Sequence, residues 1–445
     1  MKHKLISAML CMTLATSCVD MDIAPKNIVT SESLLSNESG MDIYMARLYS
    51  YMPWEDFKYL SQWGFNFSGW LNAIGIDGTG EAMNRDGICT AFTGEDYAYW
   101  STDGSKGSPF MLLRDANYLI ENLPKYQGSY AEITYNHYLG EAYYVRATVF
   151  YAMARRFGGI PLVTKVIQYP GDGNLEVPRA SEEETWNQVL ADYDKAIELM
   201  MPNSPKSGYS NKYVALAFKS EAMLYAGSVA KYNETVTGRL TGLGAKTGVR
   251  VIGFDENRWQ EASKKYFTEA YKAASEVIKS GVYSLYKKKW AANDPEAQYQ
   301  NMVDMFSDLS NNPENIYVKE YTYPTSTHAY DSYNLPLTFK APLNCGVCPT
   351  ADFVELFDGF DRYPDGTLKV TTGNSPTEAT TLCMIARWII IKMLSLVCVL
   401  MSFSPVMYSK VKKLIFMPVF IRVLRLSNHF LATIRMVRPL LSTII

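Results

Sequence analysis

The sequence predicts a mainly α fold built of tetratricopeptide-like helical hairpins with long irregular loops between them. Three observations carry this. Apolar residues recur at steps of three, four and seven over several long stretches. Start and stop signals stand at the ends of those stretches. The apolar faces mix small residues with aromatic ones, as closely packed helix pairs require, although no clean fixed-period repeat runs through the chain.

The first expected helix runs from Ser108 to Leu123. The second is the longest, in "NHYLGEAYYVRATVFYAMARRFGG". There Leu139, Ala142, Tyr143, Phe150, Met153, Ala154 and Phe157 define one apolar face over some six turns. Gly158 and Gly159 can take the left-handed conformation that ends a helix, and Pro161 forbids its resumption. Arg146 lies amid that face and reads as a structural, paired arginine. A third helix spans Ser181 to Met200. Ser181 and Glu184 have capping-box spacing, and Trp186, Val189, Leu190, Tyr193 and Ile197 line its face. Lys212 to Val229 is a fourth. Arg258 to Lys279 is a fifth, with Trp259, Ala262, Phe267, Ala270, Tyr271, Ala274 and Ile278 as its face and Gly281 as its stop. The aromatics within these helices read as core. Short loops favour antiparallel neighbours. Between Tyr51 and Gly107, and after Val282, the periodicity fades into Gly, Asn, Asp, Trp and Tyr, the composition of long surface loops. Lys287, Lys288 and Lys289 read as a solvated patch.

The net charge of −2 hides an uneven distribution. From Ala379 to Ile445 there are nine Lys or Arg and no Asp or Glu, which leaves the rest of the chain at −11. So acidic a body disfavours nucleic acid and anionic membrane surfaces, whose binding rests on Lys and Arg contacts. Neutral ligands remain.

The chain opens "MKHKLISAMLCMTLATSCVDMD". Lys2 and Lys4 precede a short apolar run, Leu5 to Leu14, and small residues lead to Cys18. This reads as a secretory signal over residues 1–17, too short to span a bilayer. Its end on Cys18 points to a bacterial lipoprotein, cleaved before that residue and lipidated on its thiol, with ordinary secretion as the alternative. Ala15 stands where such signals usually carry an aliphatic residue.

Cys345 and Cys348 form one C-x-x-C, without the second ligand pair that a zinc site needs. They read as two loop cysteines, so no metal and no cofactor is expected. No P-loop, G-x-S-x-G, H-E-x-x-H or dinucleotide fingerprint occurs. With four His in the chain, one of them in the signal, the reading is non-enzymatic. A paired-carboxylate glycosidase is the enzymatic alternative.

Beyond Glu378 the composition changes abruptly. Residues 379–445 contain no Asp, Glu, Gln or Gly. An apolar run from Ile389 to Tyr408 is interrupted by Lys392 and Pro405, so an out-of-frame tail is the preferred reading and a membrane helix the other.

Several segments resemble the SusD/RagB family of Bacteroidetes surface lipoproteins. They are "EAYYVRATVFYAMARRFGGIPLVT", which is similar to the family's helix and FGG-x-P-L signature, "LLRDANYLIENLP", the capped helix after Ser181, "RWQEASKKYFTEAYKAASEVIKSGVYSL" and "CPTADFVELFDGFDRYPDG". The resemblance covers about residues 18–378. It implies a helical region over 18–300 and the start of a C-terminal region over 301–378. Family members usually continue further, so the resemblance implies a truncated or frameshifted chain. It implies an outer-membrane lipoprotein facing the cell exterior. Such a protein captures nutrient glycans and delivers them, without catalysis, to a TonB-dependent SusC-like transporter. A helical-repeat interaction lipoprotein that binds no glycan, or a non-functional product, is the alternative.

Sugar capture needs exposed rings for CH-rich faces and fixed polar groups for hydroxyls. The segment from Trp63 to Trp100 supplies both. The resemblance implies contacts from an Asp, an Arg and a following Trp, for which Asp77, Arg85 and Trp100 stand at plausible spacing. Tyr97, Tyr99, Trp63 and Trp70 are further platforms. Tyr321, Tyr323 and Tyr330 form another group.

Overall fold

A computed structural model describes residues 31–53, 59–60, 64–65, 82–84, 109–168, 171, 176–235, 242–308, 312–321, 347–349 and 364. In chain order the described elements begin with helices α1 (Ser31–Leu35) and α2 (Glu38–Ser50). Three short strands follow, β1 (Tyr59–Leu60), β2 (Gly64–Phe65) and β3 (Ala82–Asn84). Then come α3 (Pro109–Asn122), a 3-10 segment (Leu123–Ser129), α4 (Glu132–Phe157), α5 (Glu182–Leu199) and α6 (Lys212–Thr235). The strands β4 (Gly242–Leu243) and β5 (Arg250–Ile252) precede α7 (Trp259–Ser280), α8 (Pro295–Ser307) and β6 (Val347–Pro349). Consecutive long helices pack on one another, α3 on α4, α4 on α5, α5 on α6 and α6 on α7. This is the expected mainly α array of tetratricopeptide-like hairpins.

Local chemistry explains the elements. Ser181 Oγ accepts from the Glu184 N–H at 3.1 Å, and Glu184 Oε2 accepts from the Ser181 N–H at 2.8 Å, so the expected capping box starts α5. The Ser181 backbone bond holds the Glu184 carboxyl below its ordinary range. Trp186, Val189, Leu190 and Tyr193 are buried on the expected face. Gly281 takes φ 67 and ψ 5, the left-handed cap of α7. The helix α6 continues past Val229 because Asn233 pairs with Phe254, its Oδ1 accepting the Phe254 N–H at 2.8 Å and its Nδ2 donating to the Phe254 carbonyl at 2.9 Å.

The structure corrects several expectations. The helix α4 is buried around almost its whole circumference from His137 to Ala154, not along one face. It is the central helix, packed by α3, α5, α6 and α2, and a helix enclosed on all sides keeps little polar exterior. The buried face of α7 is Ala262, Tyr266, Ala270, Ala273 and Val277, while Tyr271 and Ile278 are 62% and 76% exposed. On the buried side Ser263 donates to the Gly227 carbonyl of α6 at 3.0 Å, and the Phe267 ring lies at the edge of that face against Gly227, where a Cβ would stand 2.8 Å from it. Tyr225 and Tyr232 are also exposed, so not every helical aromatic is core.

Two helices stand where none is expected. Asn37 caps α2 by accepting the Gly40 N–H at 2.9 Å, and Met41, Tyr44, Met45 and Leu48 bury its inner face. Asp294 caps α8, with Pro295 in its first turn. Lys287, Lys288 and Lys289 are exposed, as expected of a solvated patch, and Lys289 pairs with Asp304 of α8 at 2.6 Å and Lys288 with its C-cap Asp308 at 2.5 Å.

Cys348 is not in a loop. It lies in β6 opposite Met83 of β3, in an antiparallel pair that joins residues 82–84 to residues 347–349. Cys345 lies outside the described residues, as do the signal, Cys18 and the tail from 365 onward. Among the described residues no helix is long and apolar enough to cross a membrane.

Candidate functional site

Among the described residues, three of the polar constructions that interrupt the apolar array are candidates for a site. The first is a hub around Arg146. Its Nε donates to Asp192 Oδ2 at 2.8 Å, and a second guanidinium nitrogen donates to Asp192 Oδ1 at 2.6 Å. The third nitrogen donates to Asn117 Oδ1 at 2.9 Å and to the Thr164 carbonyl at 3.1 Å. Asn117 in turn donates to the Val163 carbonyl at 2.8 Å. One buried arginine thus ties α3, α4, α5 and the segment after Gly159 together, as expected of a structural residue. Burial raises the Asp192 carboxyl while Arg146 opposes that shift.

The second construction closes the end of α4. Gly158 adopts φ 69 and ψ −126, and a Cβ on it would stand 2.5 Å from the Val251 carbonyl oxygen. Gly159 needs no positive φ. It is required by space, because its Cβ would meet the Ala180 carbonyl oxygen at 2.1 Å. Arg179 donates to the Phe157 and Gly159 carbonyls at 2.5 and 2.7 Å and caps the exposed carbonyl end. A cavity of about 330 Å³ opens here, lined among others by Arg155, Arg156, Arg179 and Tyr225. Its cations are engaged within the chain. Arg155 lies over Tyr151 and Tyr225, at 5.4 and 5.8 Å from the ring centroids.

The third construction is a cavity of about 280 Å³ between the α5–α6 connection and residues 316–318. Asn203, Ser204, Lys206, Ser207, Tyr209 and Tyr317 are among its walls. Beneath it lies a buried acid–base pair on α4. His137 Nδ1 accepts the Met201 N–H at 3.2 Å, which places the imidazole proton on Nε2. That Nε2 makes no hydrogen bond and stands 3.8 Å from Glu141 Oε2. Glu141 Oε1 accepts from the Tyr49 hydroxyl at 2.7 Å, and that hydroxyl accepts the Ser210 N–H at 2.9 Å. Both α4 side chains are 1% exposed. Burial lowers the His137 imidazole to about 4 and raises the Glu141 carboxyl to about 8, so both are neutral at pH 7. The i, i+4 spacing of a His and a Glu looks like a surface pair in the sequence. The cover supplied by α2 and the connection makes it core.

Of the residues proposed to contact ligand, Tyr321 is described. It is half-buried at the end of the segment whose Tyr317 lines the cavity, and Lys319 Nζ lies 5.5 Å from its ring centroid. Asp77, Arg85, Trp100, Tyr97, Tyr99, Trp63, Trp70, Tyr323 and Tyr330 lie outside the described residues. Arg85 directly follows β3. Among the described residues no group of three His, Cys, Asp or Glu could hold a metal ion. Sequence reasoning missed Tyr209 and Tyr317, which carry no motif.

Residues 20–224 match the model of a SusD-like family described as "Starch-binding associating with outer membrane". SusD-like protein P38 of Formosa agariphila is 33% identical over 130 residues, which cover 29% of this chain and 24% of the relative. SusD-like protein P2 of the same organism is 23% identical over 243 residues, covering 52% and 45%. The chain therefore spans less than half the length of these relatives. A crystallised SusD-like protein of Bacteroides fragilis is similar over 79% of this chain and 58% of its own, at 20% identity and a TM-score of 0.49. A SusD-like carbohydrate binding protein of the same species gives 78% and 56%, at 16% identity and 0.49. The matched residues contain the capped α5, the Arg146 hub and the Gly158–Gly159 stop, and over residues 20–224 the chain is similar to the SusD-like family.

Proposed function

We propose that the chain is a surface lipoprotein that binds nutrient glycans and delivers them, without catalysis, to a SusC-like TonB-dependent transporter of the outer membrane. The observation that carries this reading is the match of residues 20–224 to a family described as starch-binding and outer-membrane-associated. The acidic body agrees with a neutral ligand rather than a nucleic acid. In this reading residues 1–17 are the signal and the lipid on Cys18 anchors the chain outside the cell. Residues 18–300 form the helical scaffold, and the C-terminal region begins at 301.

Rings and fixed polar groups on the loops would do the binding. Asp77 and Arg85 hold sugar hydroxyls by hydrogen bonds. Trp100, Tyr97, Tyr99, Trp63 and Trp70 offer faces to the CH-rich sides of the sugar rings. Tyr321 and Tyr323 extend the platform from the C-terminal side of the sequence, and β3 pairs with β6. Affinity electrophoresis through gels cast with neutral polysaccharides tests the reading. A retarded band in at least one gel is expected, and unretarded migration in all of them would contradict it.

A further inference from the structure

The connection between α5 and α6 is built more expensively than a linker needs to be. Its neck is closed by the Lys212 N–H donating to the Met201 carbonyl at 2.9 Å. It is therefore an Ω-type loop, a class that often carries function. Both of its ends are fixed to one turn of α4. His137 takes the Met201 N–H, and Glu141, through Tyr49, takes the Ser210 N–H. Burying a histidine to accept one backbone donor, and a glutamate to accept from the Tyr49 hydroxyl that takes the other, costs more than packing apolar side chains there. What this arrangement secures is shape. The Tyr209 ring lies on Tyr49 with centroids 4.7 Å apart, the Tyr317 hydroxyl donates to the Gly208 carbonyl at 3.2 Å, and Ser207 Oγ donates to Glu320 at 3.4 Å.

The resulting cavity of about 280 Å³ has a definite chemical character. Two half-buried tyrosine rings face it together with the amide of Asn203 and the hydroxyls of Ser204 and Ser207. Its one cation, Lys206, is paired with Asp42. Asn203, Ser207 and Gly208 are exposed. Rings and neutral hydrogen-bonding groups without unpaired charge suit a polyhydroxylated, uncharged ligand. The volume lies just below the usual range of ligand sites, roughly 300–1,000 Å³, which suits a short stretch of a saccharide chain. A wall ordered before binding lowers the entropy cost of capture.

We propose that this groove is a second saccharide subsite, taking a short neutral segment of a glycan on residues other than the Trp63–Trp100 segment. The proposal rests on the glycan-binding reading above and adds a site to it. Saturation-transfer NMR on the full chain tests it, with a panel of neutral trisaccharides of glucose, xylose, mannose and galactose as probes. The Trp100→Ala variant is expected to keep a transfer signal. Adding Ser207→Trp, which fills the groove from an exposed position, is expected to abolish it, and Asn203→Trp in the same background is expected to do likewise. Circular dichroism matching wild type shows that the variants fold. Loss of all signal in Trp100→Ala alone overturns the groove and leaves the Trp100 site standing. Survival of the signal in both double variants also overturns the groove. Silence of wild type toward every probe overturns the groove and the glycan-binding reading together.

Discussion

Glu141→Gln tests the buried pair through the pH dependence of stability. Burial raises the Glu141 carboxyl from its ordinary 4.5 to about 8, so between those values the folded chain holds one proton more than the unfolded chain. Its contribution is full below 4.5 and is lost as pH rises through 8, at ~1.4 kcal/mol per pH unit. His137 runs the other way. Its imidazole falls from 6.5 to about 4, so its contribution is full above 6.5 and is lost as pH falls through 4. The two slopes cancel from about 4.5 to 6.5. From 6.5 to 8 only the Glu141 slope remains, a loss of about 2 kcal/mol over that interval. Glutamine keeps the acceptor for the Tyr49 hydroxyl and removes the titration. Urea unfolding of both proteins at pH 6.5 and 8 should show the wild type losing about 2 kcal/mol relative to the variant. Groups common to both cancel in the difference. Parallel stabilities across this interval would refute the burial of an uncharged Glu141.

Other expectations follow from the same contacts. Arg146→Ala strands Asp192 in the core and should cost about 3–5 kcal/mol in urea titration. Arg146→Met combined with Asp192→Leu should recover most of that loss, because no buried charge remains. Gly159→Ala drives a methyl group into the Ala180 carbonyl, and thermal melting should report a destabilisation of at least ~1–3 kcal/mol. Cys18→Ala should move the protein from the membrane fraction to the soluble fraction, since the proposed anchor would hold it by acyl chains at ~0.8 kcal/mol per buried CH₂. Retention after a high-salt wash would count against the anchor.

The helical scaffold was legible where local signals are strong. The Ser181–Glu184 box, the apolar face of α5 and the Gly281 stop depend on residues within a turn or two of one another. The pairing of Arg146 was legible too, because a lone cation amid apolar residues needs a partner, although the sequence did not name Asp192. The face of α7 was not legible. Apolar residues lie on both of its sides, and packing against α6, distant in sequence, buries Tyr266 and leaves Tyr271 exposed. The α4 pair was hidden for a related reason. A His and a Glu one turn apart look solvated until Tyr49, distant in sequence, covers them. The helices α2 and α8 had readable caps, but their short apolar patterns are flanked by loop-like composition. As for ligand contacts, loops carry no periodicity, so residue types suggest Trp100 and its neighbours without fixing their positions. Tyr209 and Tyr317 converge only in the folded chain.

Isothermal titration of the purified protein with soluble neutral polysaccharides, wild type beside Trp100→Ala, tests glycan capture most directly. The account predicts saturable heat for the wild type. It predicts a weakening of ~1–3 kcal/mol when the indole is removed. A wild type that binds none of them, or a variant that binds as tightly as the wild type, would contradict it.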